Sequence, residues 1–377
     1  MFEVYAVITP GLETVAQEEL EKLGIAEAQP EEGGLTFAAS FEKLCRLNLE
    51  SRISSRFIVR VGAAKITTLK SLQIFANPLP WKNFIRKNQP LQVRATCKKS
   101  KLYHSGAVIE RFQNALESSL GKGLTFVKGE EIPADTQRIV IRVNNDIVTV
   151  SIDSSGEHLH KRGYRQATAK APLRENIAAG CLVSMGYDGT TPFIDPMTGS
   201  GTLAIEAALI AKNRIPGLHR EFGFMQWPMF RPKRWQDLLS EYRSKESETT
   251  PPIFASDRHP GAIEAAIQNA EAAGVRDFID FERATLSERA KSLTDIEGTC
   301  FLNPPYGERM GKKGNLNNLY ASIDNMATGP LSTTTVGLIT TNQKLMRSCC
   351  PNFEILGPPV FHGGKRAYIY HHNVNEE

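Results

Sequence analysis

Nowhere in the 377 residues do eighteen apolar residues follow one another, so no segment is long enough to read as a membrane-spanning helix. The N-terminus, MFEVYAVITPGLETVAQEEL, has neither the basic start nor the long apolar centre of a secretory signal and turns acidic instead. Cysteine is sparse: Cys45, Cys97, Cys181, Cys300, Cys349 and Cys350 show no CxxC or Cys/His ligand spacing and are too few for a disulfide framework. A soluble, unexported, cytoplasmic protein with no bound metal is expected. Internal repeats and low-complexity tracts are also missing. The length by itself implies two or three domains.

What is present is an uneven charge. Net charge is only +4, but residues 1–55 hold four Lys and Arg against ten Asp and Glu, residues 56–170 hold 20 against 8, and the remainder 21 against 23. A cationic middle third suits a phosphate-binding surface, because each Lys or Arg placed on a phosphate releases condensed counterions. A solvated basic face without a partner is the plainer alternative. The basic residues crowd at Arg94, Lys98, Lys99 and Lys101 and again at Lys161, Arg162 and Arg165; these seven are the candidate phosphate contacts.

The first 55 residues read as a small α+β unit: a strand over 3–8, a Pro10-Gly11 turn, a helix over 12–23, a strand near 35–38 and a helix from Phe41. Residues 56–165 continue with alternating strands at RFIVRVGA and LQVRATC, a helix over 106–120, and a hairpin in RIVIRVNNDIVTVSID that turns at Asn144-Asn145-Asp146. From residue 166 to 377 short β-rich runs (PFID, PIFASD, FIDF, GTCFLN, TTVGLITT, FEIL, AYIYHH) alternate with helical stretches. That rhythm predicts a mostly parallel sheet with helices on both faces, whose ligands bind beyond the C-terminal ends of the strands.

Two turns in this last region suit a nucleoside ligand. In FIDPMTGSGTLAIEAALIA a strand ends at Asp195 and passes through Pro196, Thr198, Gly199, Ser200, Gly201 and Thr202 into an apolar helix. The glycines allow close backbone approach, and the helix N-terminus points amides at an anion. A tight strand-to-helix turn without a ligand remains the alternative. The full GxGxxG dinucleotide pattern is broken by Ala204, and the lysine of a triphosphate loop is missing. In IFASDRHPGAIEAAIQNA the next strand ends in Asp257 and Arg258; an acidic residue there either accepts both ribose hydroxyls or caps the helix that follows.

DPMTGSGT, ASDRHPGAIEAA and NPPYGERM, in that order, resemble the S-adenosylmethionine-dependent methyltransferases that modify exocyclic amines. The whole chain resembles the bacterial RNA guanine-N2 methyltransferases built from a ferredoxin-like domain, a THUMP domain and a Rossmann-fold methyltransferase domain. SGEHLHKRGYR followed by APLRENIAAGCL is similar to the THUMP exit and the helix before the first catalytic strand, and IPGLHREFGFMQWPMF is similar to a segment of the large-subunit rRNA branch. The resemblance is specific over the catalytic region and weaker over residues 1–150. It implies S-adenosylmethionine as cofactor, held by Asp195, the glycine turn, Asp257, Arg258 and Asn303, with Arg174 near its methionine end, and 23S rRNA as substrate for a monomeric enzyme. It also sets Thr285 or a near neighbour where relatives contact the adenine amine.

The implied chemistry is reasonable. A guanine N2 amine shares its lone pair with the ring and needs acceptors on its protons. Asn303 can offer its side-chain carbonyl and Pro304 its backbone carbonyl, the prolines Pro304 and Pro305 add no competing N–H, and Tyr306 offers a flat face to the base. Cys300 lies inside the preceding strand, so no covalent nucleophile is evident. The same plan serves tRNA guanine-N2 methylation, and the NPPY motif also serves adenine-N6 and protein glutamine-N5 methylation; the basic middle third argues against a protein substrate. A binding module without catalysis or a dinucleotide dehydrogenase would not require these three motifs together.

Overall fold

The computed structural model describes residues 1–167, 173–306 and 313–372. Ala171 and Pro172 of the pre-catalytic helix motif, and the Gly307–Met310 continuation of NPPY, lie outside the described residues.

The N-terminal half runs β1 (Phe2–Val7), α1 (Glu13–Lys22), β2 (Gln29–Glu31), β3 (Gly34–Ala39), α2 (Phe41–Glu50), β4 (Arg56–Lys65), α3 (Leu69–Ala76), β5 (Leu91–Lys98), α4 (Ser105–Leu120), β6 (Gln137–Asn144) and β7 (Ile147–Asp153). All seven strands form one sheet in the order β2-β3-β1-β4-β7-β6-β5. Its register follows the period-two pattern of the sequence. Across the sheet, Phe37, Val4, Val59, Ile152, Ile139 and Val93 pair in one continuous row, and all are buried. The adjacent row, which includes Glu3, Arg60 and Arg94, faces the other way.

Strand β4 pairs with β1 on one edge and β7 on the other. The expected division after residue 55 therefore falls at the first residue of the strand that joins both halves. This has an electrostatic consequence. Arg60 bonds Glu31 at 2.5 Å and Glu3 at 3.1 Å, and Arg142 bonds Glu32 at 2.7 Å, so acids of the first segment neutralise part of the cationic middle. The β6–β7 hairpin turns on Asn145 and Asp146 at φ of 52° and 64°, the left-handed pair that a two-residue turn favours. Neither β2 nor α3 was expected: β2 is a three-residue edge strand containing Pro30, which carries no readable period.

The second half runs α5 (Glu175–Ser184), β8 (Phe193–Asp195), α6 (Thr202–Ala211), α7 (Pro232–Arg243), β9 (Ile253–Ser256), α8 (Pro260–Ala272), β10 (Asp280–Glu282), α9 (Leu286–Ser292), β11 (Gly298–Leu302), α10 (Lys313–Thr328), β12 (Thr334–Thr340), α11 (Gln343–Cys349), β13 (Glu354–Ile355), β14 (Val360–His362) and β15 (Lys365–His372). The sheet order is β10-β9-β8-β11-β12-β15-β13. Strands β10, β9, β8, β11 and β12 are parallel, and β15 is antiparallel to its neighbours. The chain order reverses at β8, which creates the crevice where such sheets take ligands. No helix among the described residues is long and apolar enough to cross a membrane.

The segment between α6 and α7 locks the two sheets together. Trp227 is 0% exposed, donates its indole N–H to Gln137 Oε1 at 2.8 Å, and meets Phe84 edge-on at 4.8 Å and Phe2 at 6.1 Å. Asn176 at the start of α5 donates to Thr9 Oγ1 at 3.1 Å and the Ile53 carbonyl at 3.2 Å, adding a polar clamp. Trp227→Ala should lower unfolding stability by about 3–5 kcal/mol, read as a fall in urea midpoint; a loss below about 1 kcal/mol would show that this ring does not anchor the joint.

Candidate active site

The three motifs lie far apart in sequence but leave the sheet from neighbouring strands. Strand β8 pairs with β9 through Phe193↔Ile253 and with β11 through Thr299↔Phe193. Asp195, Asp257 and Asn303 thus follow three adjacent parallel strands and emerge at one edge, spaced by roughly 5 Å per strand.

The glycine turn is held from several sides. Thr198 N–H bonds the Ser256 carbonyl at 2.9 Å, and Gly199 N–H bonds Asp257 Oδ2 at 3.1 Å. Asp257 Oδ1 also accepts from His259 N–H at 2.9 Å. Asp257 does not cap α8, whose N-cap is His259 with no side-chain cap; it ties the loop ahead of that helix to the glycine turn, and its carboxylate keeps unused lone pairs. Gly201 has φ +85° and packs so tightly that an added Cβ would lie 3.1 Å from Ala266 Cβ. Gly199, at φ +54°, has open space where a Cβ would stand, which leaves its backbone approachable by a ligand. Arg258 is exposed, with its Nε 3.1 Å from His259 Nε2. Pro196 is buried in the turn.

Asp195 is the most unusual group. Its carboxylate is wholly buried, and among the described residues neither oxygen has a partner in good hydrogen-bond geometry, although the Thr198 hydroxyl and the Met197 and Ala204 amides lie close enough to influence it. Burial pushes its pKa up to about 7, a rise that the neighbouring Thr198 side chain and the Met197 and Ala204 amides only partly offset and the Asp257 charge reinforces. A buried acid without a partner is costly. A ligand carrying an ammonium or sulfonium would supply the missing charge. The orphaned carboxylate and the open space at Gly199 thus fit a cationic nucleoside such as S-adenosylmethionine.

At the end of β11, Pro304 is buried and Asn303, Pro305 and Tyr306 are partly exposed. Tyr306 donates its hydroxyl to Asn303 Oδ1 at 2.9 Å. This bond holds the Asn303 carbonyl in place and occupies the acceptor that the family resemblance assigns to an amine proton. Burial raises the Tyr306 pKa, so it stays a neutral donor. Cys300 is buried, with its thiol pKa pushed up by burial and by the Asp195 charge, which rules it out as a ready nucleophile.

Two of the expected RNA contacts prove to be internal. Arg162 is only 5% exposed and bonds the Leu159 carbonyl at 2.8 Å and Glu206 at 3.5 Å. Arg165 bonds Glu175 at 2.9 Å and Thr202 Oγ1 at 3.1 Å and reaches Ser200 Oγ at 3.4 Å. Both guanidiniums are enclosed by these partners, and Arg165 braces the glycine turn. Lys161 is exposed and paired with Glu157 at 2.6 Å. Arg94 is exposed in the middle of β5, and Lys98, Lys99 and Lys101 are exposed at or beyond its end. Arg94 donates to the Gly129 carbonyl at 3.2 Å, and Lys98 lies 3.7 Å from Glu32. Arg174 is exposed at the N-cap of α5, while Glu175 beside it is committed to Arg165. Thr285 caps α9, exchanging bonds with Glu288 in a capping box.

Sequence reasoning missed Asn269. Fully buried on α8, it donates to the Ser200 carbonyl at 2.9 Å and accepts from the Gln166 and Ala167 amides at 2.8 and 3.0 Å. Its one sequence signal is an amide inside an apolar helix, where it is a poor helix former.

The RMKL-like methyltransferase-domain model matches residues 162–363, and the RlmL ferredoxin-like domain model matches residues 3–58. A ribosomal RNA large subunit methyltransferase K/L from Syntrophotalea carbinolica is 33% identical over 85% of this chain and 46% of its own length, so the chain spans about half of that relative. A candidate methyltransferase solved in complex with S-adenosylhomocysteine matches 100% of this chain and 99% of its own, at TM-score 0.87 and 26% identity. A predicted N6-adenine-specific DNA methylase from Listeria monocytogenes matches 99% of this chain and 96% of its own, at TM-score 0.86 and 28% identity. The parallel sheet, the glycine turn at its switch point and these matches together make the chain a member of the RMKL-like methyltransferase-domain family.

Proposed function

We propose that this chain transfers a methyl group from S-adenosylmethionine to the exocyclic N2 amine of a guanosine in 23S ribosomal RNA, with residues 56–165 acting as a THUMP-type RNA-binding region. The observation that carries the reading is the buried, unpartnered Asp195 carboxylate beside an open glycine turn, one strand from Asn303. Residues Asp195, Thr198, Gly199 and Asp257 would hold the cofactor, whose chemical contribution is an electrophilic methyl group on a sulfonium.

The protein's own part is positioning. The Asn303 carbonyl, released from the Tyr306 hydroxyl, accepts one proton of the entering amine, and the Pro304 carbonyl accepts the other. These bonds localise the nitrogen lone pair. The Tyr306 ring supports the base face. Direct displacement needs no protein nucleophile, and Cys300 offers none; catalysis then rests on orientation. A paired guanosine must first leave its stack to enter.

Similarity to the ribosomal RNA large subunit methyltransferase of Syntrophotalea carbinolica supports ribosomal RNA over the DNA substrate of the Listeria methylase. The cationic middle segment also supports a polyanion over a protein glutamine. A tRNA guanosine is the second reading, favoured by the same three-part architecture. Six free thiols suit the reducing cytoplasm where either RNA would be met.

Asp195 must lose its proton to pair with a cation. Its burial costs the folded chain progressively more as pH rises from the ordinary carboxylate range towards 7, and a cationic ligand recovers that cost. S-adenosylhomocysteine, which keeps the ammonium, should therefore bind about tenfold more weakly at pH 6 than at pH 8 by calorimetry, with Asp195→Asn flattening the profile; a flat profile in the parent chain would rule out Asp195 as the cation's partner. Asn303→Ala should hold cofactor affinity within a few-fold while nearly abolishing methyl transfer, and unchanged turnover would remove it from the site. Incubation with labelled S-adenosylmethionine and unmodified total RNA should label the N2 of a 23S guanosine. Label confined to tRNA, or to protein, would overturn the proposed substrate.

A further inference from the structure

The loop between β5 and α4, residues 99–104 (KSKLYH), takes no part in the methyl-transfer pocket, although Lys99 and Lys101 within it are among the expected RNA contacts. It is nevertheless built with care. Ser100 Oγ donates to the Lys98 carbonyl at 2.8 Å and accepts from the Asp146 N–H at 2.9 Å. Asp146 Oδ1 in turn accepts from Lys101 N–H at 2.7 Å, and Asn145 N–H bonds the Lys98 carbonyl at 3.2 Å. The tight β6–β7 turn thus fixes this loop, Lys99 is held at φ +50°, and Leu102 is buried as its inner anchor.

What the scaffold presents outward is a ring among cations. Tyr103 is 71% exposed, and its ring lies 4.3 Å from that of exposed His104 at a 41° tilt. A single exposed tyrosine is ordinary. A paired aromatic surface on a fixed loop, next to Lys99 and Lys101, is a different object. Neither lysine forms an ion pair among the described residues. In register across the same end of the sheet stand Lys65, Ile147, Asn144 and Lys98, so cations flank both sides of a row about 14 Å wide. Helix α4 opens at the next residue with no side-chain cap on its first-turn amides, which also favours an anion.

We propose that this loop is a docking platform for a single-stranded stretch of RNA, one unpaired base stacking on Tyr103 while Lys99 and Lys101 take neighbouring phosphates. The proposal rests on RNA being the substrate, and it adds a contact separate from the methyl-transfer pocket. Stacking requires an open base face, so the platform selects single strand over duplex, in which both faces are covered. Because the loop is already fixed, little ordering cost opposes binding.

The test uses the full chain with a fluorescein-labelled twelve-nucleotide oligouridylate and a duplex RNA of equal length, read by anisotropy over a range of salt. Tyr103→Ala should weaken oligouridylate binding about 10- to 100-fold with its salt slope unchanged, and should leave duplex binding unaltered. Tyr103→Phe, which keeps the ring, should bind like the parent chain. Lys99→Ala with Lys101→Ala should flatten the salt slope; an unaltered slope overturns the phosphate contacts. Circular dichroism checks that each variant is folded. Parent-like oligouridylate affinity in Tyr103→Ala, or an equal loss on duplex, overturns the stacking platform while labelled methyl transfer to RNA leaves the proposed function standing. Failure of the parent chain to bind either RNA overturns the platform, and absent methyl transfer would then remove the RNA reading itself.

Discussion

Strand β8 is paired on one edge with β9 and on the other with β11, and every feature of the candidate site depends on that double pairing. Parallel pairing makes three strand ends point the same way, so the turns after them converge although the sequence separates them widely. Were β11 elsewhere in the sheet, Asn303 would face a different crevice from Asp195. The turn itself is then tightened by side chains from outside the sheet: Asn269 from α8 and Arg165 from the preceding segment hold Ser200 and Thr202. The result is a rigid rim around an acid that the chain leaves without a partner.

The N-terminal sheet is coupled to this rim through buried polar contacts as well as the Trp227 joint. Arg52, partly buried, donates to the Arg214 carbonyl at 2.7 Å, and Arg162 bridges the Arg52 carbonyl and Glu206. Tyr164 also donates to Glu206, at 3.2 Å. Removing one member of such a buried set strands a charge, whereas the intact set fixes geometry more than it adds stability. The RNA-binding surface proposed on the first sheet would therefore be held at a set position relative to the pocket on the second, as presenting one nucleotide out of many requires.

Much of the fold was legible from the residues. Alternation located β4 to β7, the Asn-Asp turn located their hairpin, and the βαβ rhythm located the second sheet. The failures have physical causes. Edge strands such as β2 are too short for a period, and α3 is a brief helix whose apolar positions, Leu72 and Ala76, mean little until Trp81 and Phe112 are known to lie nearby. Within the site, the turns at Asp195–Thr202 and Asp257 read as suited to a nucleoside, whereas the role of Asn303 as an amine acceptor came from the family resemblance and not from spacing. Arg162 and Arg165 were misread because a run of cations near an exit from a basic region looks the same whether the guanidiniums face water or a buried glutamate.

The sequence alone determined the local conformations and the chemical repertoire: which turns could form, which groups could accept an amine proton, and which segment carried surplus positive charge. Those properties reside in windows of a few residues. The tertiary structure alone decided which charges remain available. It paired Arg60 and Arg142 with acids of the first segment, enclosed Arg162 and Arg165, left Lys99 and Lys101 exposed beside Tyr103, and buried Asp195 without a partner. Desolvation and ion pairing depend on neighbours brought from distant parts of the chain, and no local pattern of residues encodes them.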